Sequence, residues 1–184
     1  MNDPFHKNLL KNKRPILVTG IHRSGTTWIG KMLASGGEAA YISEPLNVFH
    51  RKGVFNAPVD KWYTYICQDN EKPYLKSLQE TISLHYYTSQ EIKNIRSTKD
   101  LLRMGRDWYN FTSGRLWKKR PLIKDPFAVF SIPWFMERFD CQVVLTIRHP
   151  AAFVSSLKRL GWQFNFNDLL SQPLLLRDLL SPYK

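Results

Sequence analysis

The chain has 184 residues, of which 43% are hydrophobic and 23% charged, a balance that suits one globular domain and excludes an intrinsically disordered polymer. Lys and Arg total 27 against 15 Asp and Glu, a net charge of +12. That excess points to an anionic partner (nucleic acid, a phosphorylated nucleotide, a polyanion or a membrane surface) without choosing among them.

Two cysteines, Cys67 and Cys141, exclude a disulfide scaffold and a cysteine-rich zinc site and suit a reducing compartment. The polar, basic opening MNDPFHKNLLKNKRP lacks the apolar stretch of a signal peptide. No run approaches the ~18 apolar residues that span a bilayer, so no membrane anchor is expected and the cytoplasm is the simplest address.

Residues 15–19 (PILVT) read as a buried strand ended by Gly20. After a glycine-containing loop, residues 26–35 (TTWIGKMLAS) carry Trp28, Ile29, Met32 and Leu33 at helical spacing, which predicts a helix with Trp28 in the core. Residues 39–43 form a second strand, stopped by Glu44-Pro45. From about residue 47 to 120 the pattern becomes a helical insertion. Leu75, Leu78, Ile82 and Tyr86 mark one amphipathic helix, and Ser97-x-x-Asp100 is a capping box opening another that carries Leu101, Leu102, Met104 and Trp108. Its aromatic residues (Trp62, Tyr63, Tyr65, Tyr86, Tyr87, Trp108, Tyr109) read either as a sugar-stacking wall or as core. The basic run RLWKKR, residues 115–120, closes it.

Residues 121–124 (PLIK) give a third strand, followed by a turn at Asp125-Pro126 and a helical segment to Arg138 broken near Pro133. Residues 142–147 (QVVLTI) read as the clearest buried strand, with Cys141 at its start as a small hydrophobe. Arg148-His149-Pro150 ends it and residues 151–160 continue as a helix. Strands alternating with helices imply a parallel sheet covered on both faces. The leucines from Leu169 to Leu180 need a surface to bury against, which predicts that the domain extends past this chain.

Residues 20–27, Gly-Ile-His-Arg-Ser-Gly-Thr-Thr, have the spacing of the phosphate loop G-x-x-x-x-G-K-[ST], with Thr26 in place of the lysine. Glycines let backbone N–H groups turn inward as an anion nest, and the following helix adds its N-terminal partial charge. A bare strand-to-helix turn is the plain alternative. ATP and GTP enzymes use the missing lysine on the β- and γ-phosphates and an acid at a strand end for magnesium. Here the strand QVVLTI ends at Arg148, Asp125 would be a poor substitute for the acid, and Arg23 supplies a cation within the loop. Arg148, with Ser156 eight residues on, reads as a second anion site or as ordinary strand-end and helix-surface polarity. Lys124 reads equally as a functional cation or an exposed strand-end charge, and His22 as a solvent-facing loop residue.

These motifs together resemble the sulfotransferases that use 3′-phosphoadenosine 5′-phosphosulfate (PAPS), on the side of the bacterial and carbohydrate-type members. RSGTTW (residues 23–28) is similar to the family's 5′-phosphosulfate loop, and RHPAAFVSS (148–156) to its 3′-phosphate motif. YISEPLNVFH (41–50) resembles its glutamate-proline segment, and LIKDP (122–126) a lysine-bearing strand end. The resemblance implies an α/β fold: a three-layer αβα domain with a central parallel sheet, like the P-loop nucleotide hydrolases, with the helical insertion after the second strand. The whole of residues 1–184 would be one such domain, incomplete at its C-terminus.

It further implies PAPS as donor without a required metal, and an acceptor hydroxyl on a carbohydrate rather than a nucleic-acid partner. His22, Arg23, Ser24, Gly25, Thr26, Thr27 and Trp28 would hold the cofactor's 5′ side, and Arg148 and Ser156 its 3′-phosphate. Glu44 would be the base and Lys124 would steady the transferring group together with Arg23. Many relatives use a histidine base instead, for which His50 and His85 are the alternatives. Two other classes compete: a nucleotide or small-molecule kinase with a degenerate loop, binding magnesium through Asp125, and an anion-binding module without chemistry.

Overall fold

A computed structural model describes residues 14–183. The apolar β-branched runs form four strands, β1 (Ile16–Gly20), β2 (Ala39–Ser43), β3 (Arg120–Lys124) and β4 (Gln142–Thr146). They make one all-parallel sheet in the order β2-β3-β1-β4. In register, Val18 faces Lys124, Ser43 faces Lys124 from the other side, and Gly20 faces Thr146. Parallel strands bring their carboxyl ends to one edge, so the segments after Gly20, Ser43, Lys124 and Thr146 all emerge together.

Alternating side chains give the sheet two apolar faces. Leu17, Ala40, Ile42 and Ile123 join the main core, with Val54, Phe55, Ile66, Leu78, Ile82 and Phe111 of the insertion and Trp134, Phe135 and Phe139 behind it. The insertion contains α2 (Lys72–Ile82), α3 (Thr88–Ile92) and α4 (Thr98–Leu116); after β3 come a 3₁₀ turn, Pro126–Ser131, and α5 (Ile132–Phe139). The opposite face is covered by α1 (Thr26–Ala34), which packs on β1, β2 and β3. Gly30 permits this: a Cβ there would sit 2.9 Å from the Tyr41 ring and 3.1 Å from the Lys124 stem. The expected α/β layering is therefore present. After β4, α6 (Pro150–Leu160) is capped by Gly161 in the left-handed region, and short helical turns follow it.

Several sequence expectations need correction. Residues 142–147 are not a fully buried strand: β4 is a sheet edge, and beyond it Ile147 is 85% exposed. Trp28 is not core, being 65% exposed, because α1 turns Thr26 and Gly30 toward the sheet. Tyr86 lies beyond the end of α2, with its ring against Gly53. Ser97 does cap α4, accepting from the Asp100 N–H at 3.2 Å, yet Leu101, Leu102 and Trp108 point outward. The inward contacts of α4 are made by Phe111 and Gly114, by Asn110 donating to the Tyr41 carbonyl, and by Asp107 paired with Arg51 at 2.8 Å. The tail after α6 folds back on the insertion: Leu175 is buried, and Gln172 accepts from the Tyr65 N–H at 2.7 Å and donates to the Tyr63 carbonyl at 3.2 Å. Cys141 is buried in the core, which pushes its thiol up to about 12.

Candidate functional site

The loop after β1 begins at Gly20, whose φ of 148° and close neighbours both require glycine. A Cβ there would lie 2.3 Å from the Thr146 carbonyl oxygen and 2.9 Å from Ser24 Oγ. Ser24 and Thr146 share a hydroxyl hydrogen bond at 2.6 Å, fastening the loop to the end of β4. Arg23 and Gly25 both have positive φ, 67° and 97°, and the turn delivers the chain into α1 with Thr26 buried and Thr27 exposed. This is the nest-and-helix arrangement that binds anions.

The two proposed phosphate motifs meet here. Arg23 Nε donates to Ser156 Oγ at 3.2 Å, and Arg148 Nη1 donates to the Arg23 carbonyl at 2.7 Å. Ser156 is buried although it sits on α6, 133 positions from Arg23. Among the described residues, neither guanidinium has a carboxylate within the ion-pair distances found elsewhere in the chain. Two uncompensated cations beside an amide nest favour a ligand with more than one anionic group.

Glu44 and Lys124 form an ion pair across the ends of β2 and β3. The Glu44 N–H donates to the Lys124 carbonyl at 2.8 Å, extending the ladder by one residue and setting the two side chains together. Lys124 is 2% exposed, so it is no surface charge; its stem lies under α1. Glu44 is partly open, and its second oxygen accepts from Asn47 Nδ2 at 2.7 Å. Its φ of 51° is sterically unfavourable for a glutamate, a strain held by the flanking turn. Asp125, fully buried, fixes that turn by accepting from the Leu46 N–H at 2.6 Å and the Phe127 N–H at 2.9 Å. Burial pushes its carboxyl up to about 7 against those two donors.

His22 is half-buried rather than solvent-facing. Its backbone N–H donates to the Tyr63 hydroxyl at 3.1 Å, and its Nδ1 is hydrogen-bonded to the same oxygen. The ring stacks on Phe164 at 5.8 Å and meets Phe153 edge-on at 5.3 Å. Desolvation, with the nearby Arg23 charge, lowers its pKa below the usual value, so it is neutral near pH 7. Burial pushes the Tyr63 phenol up to about 12.

A pocket of about 670 Å³ opens between these parts. Arg23, Thr26, Thr27 and Glu44 line it, with aromatic walls from Phe49, Trp62, Tyr63, Phe127, Trp162 and Phe164 and polar groups from Asn47, Gln163, Asn165 and Asp168. Arg23 lies 6.0 Å from the Trp162 ring centroid. Trp28 does not line it, and neither do His50 and His85. His50 is tied to the Asn47 carbonyl at 2.8 Å and His85 packs edge-on against Tyr87, each away from the loop. The segment 161–168 was missed as site-forming in the sequence. Its signal is Gly161, which stops α6, followed by the aromatic and amide alternation WQFNF. Of the insertion aromatics, Trp62 and Tyr63 face the pocket, Tyr65 is buried, and Trp108 and Tyr109 face solvent. Among the described residues no group of three His, Cys, Asp or Glu side chains is placed to hold a metal ion.

A family model described as the Sulfotransferase family matches residues 15–174. A search of curated proteins found no match, and a search of solved structures found none.

Proposed function

The chain belongs to the sulfotransferase family, and from that premise we propose that it moves the sulfuryl group of PAPS to a carbohydrate hydroxyl, with Glu44 as base. The observation that carries this reading is the meeting, at one edge of the sheet, of the loop Gly20–Gly25 with Glu44 and with Arg23, which lines the same pocket as Glu44 and is hydrogen-bonded to Ser156 and Arg148, themselves outside the pocket wall. The residues suit the donor: two guanidinium groups without acidic partners and an amide nest match a nucleotide phosphorylated at both its 3′ and 5′ positions. Arg23 and the amides of Ser24 to Thr27 would hold its 5′ side, Arg148 and Ser156 its 3′-phosphate, with His22 and Trp28 flanking the loop. When bound, PAPS supplies a sulfuryl group on a good leaving group.

The chain's own groups then have separate tasks. The loop amides and Arg23 stabilise negative charge at the nucleotide end, a preorganised contribution that needs no rearrangement. Lys124 pairs with one oxygen of Glu44 and orients it, and Asn47 holds the other oxygen. Each carboxylate oxygen retains a further acceptor site, through which Glu44 takes the proton of the acceptor hydroxyl. Aromatic faces beside amide and carboxylate groups suit a sugar ring, which presents C–H and O–H surfaces in turn. A magnesium-dependent kinase is disfavoured by Asp125, whose buried oxygens both accept backbone N–H groups.

The test is transfer of labelled sulfate from PAPS to a panel of sugars and to simple phenols. The expected result is transfer to a sugar that falls by ~10²–10⁴ in Glu44→Gln while nucleotide binding is retained. Transfer undiminished in Glu44→Gln would remove the base assignment, and transfer only to phenols would remove the carbohydrate.

A further inference from the structure

The outward face of α4 is apolar. On a helix of about 100° per residue, Trp108, Leu101, Leu116, Tyr109 and Leu102 fall within about 120° of one another. All are exposed, Leu102 at 76%. Only Thr98, Gly105 and Thr112 share that stripe, and none is charged. Basic side chains flank it: Lys99 and Arg106 on one side and Arg115 on the other, with Trp117, Lys118 and Lys119 following the helix. The two acidic residues of α4 are engaged elsewhere, Asp100 in the N-terminal cap and Asp107 against Arg51. A surface helix ordinarily turns charge to solvent and apolar residues inward. Here the inward side carries one ring, Phe111, with Asn110, Asp107 and Gly114, and the outward side carries two further aromatic rings and three leucines.

We propose that α4 is an interfacial helix by which the protein docks peripherally on an anionic lipid bilayer. The leucines and Trp108 would enter the acyl boundary, Tyr109 and Trp117 would lie at headgroup depth, and the flanking lysines and arginines would meet anionic headgroups. Charge complementarity selects this occupant. A second copy of the chain would bring the same basic flanks together, each on a molecule of net charge +12. A bilayer accepts a convex single-helix stripe, whereas a protein partner would need a groove to match it. No described helix is long and apolar enough to cross a membrane, so the contact lies in the interface plane.

The test is co-sedimentation of the full chain with vesicles of phosphatidylcholine alone and of phosphatidylcholine and phosphatidylserine in equal parts. Binding is expected to the anionic vesicles, weakening with added salt. Lys99→Gln with Arg106→Gln should reduce partitioning by roughly 30-fold, about fivefold per basic residue near the surface. Leu102→Ser with Trp108→Ser should reduce it at least about tenfold, with an unchanged circular dichroism spectrum because these side chains make no core contact. Absence of binding to anionic vesicles overturns the proposal. So does binding that both double variants retain, which would place the contact on another surface. Self-association abolished by Leu102→Ser, without vesicle binding, would make the face a contact between copies instead.

Discussion

Replacing either member of the Glu44–Lys124 pair by methionine should have very unequal consequences. Lys124 is 2% exposed and its ammonium donates to the Glu44 carboxylate. Glu44→Met therefore leaves a buried cation without compensation. Breaking a buried pair from one side costs about 3–5 kcal/mol, and partial solvent access on the Glu44 side places the expected loss near the lower end, about 3 kcal/mol. Lys124→Met removes the cation and keeps an apolar stem in the same space, under α1. The remaining Glu44 carboxylate still has Asn47 and water, so that loss should stay below about 1 kcal/mol. Urea denaturation of both variants at pH 7 measures the difference. Equal losses in the two variants would refute the reading of Lys124 as a buried cation held by Glu44.

Gly20→Ala should destabilise by about 3 kcal/mol or more, from a backbone region almost reserved for glycine and a Cβ 2.3 Å from the Thr146 carbonyl. Gly25→Ala, with nothing within 4 Å of the added Cβ, should cost only about 1–2 kcal/mol of backbone strain; equilibrium unfolding of both checks the contrast. His22 has its folded pKa lowered by burial and by Arg23. Its contribution is therefore complete above the unfolded value of 6.5 and is lost as pH falls below it. Wild type should lose stability on acidification from pH 7 more steeply than His22→Gln, and parallel melting curves across that range would contradict the assignment.

Much of the sheet was legible because each strand is a short apolar run bounded by glycine, proline or charge, and β2 keeps the expected limits. The phosphate loop was legible from spacing between a strand and a helix. Lateral neighbours were not: nothing in QVVLTI says that β4 would lie at the edge with Ile147 uncovered. Periodicity also marks a stripe without saying which way it faces, as the outward leucines of α4 show. Beside the single ring of Phe111, its anchoring contacts are a glycine, an amide and an ion pair, none of which registers as apolar pattern. Glu44 and Lys124 were each visible, but their pairing across 80 positions depends on β2 lying beside β3. The aromatic wall was half visible. Trp62 and Tyr63 stood out as aromatic residues, whereas Trp162 and Phe164 join them only because the tail folds back over the loop.

The central claim is a site built for a nucleotide with phosphate at both ends, and thermal stabilisation by 3′-phosphoadenosine 5′-phosphate, compared with ADP and ATP with and without magnesium, tests it most directly. The account predicts a metal-independent rise in Tm specific to the 3′-phosphorylated nucleotide and lost in Arg148→Ala. A rise only with ATP and magnesium, or an equal rise in Arg148→Ala, would contradict it.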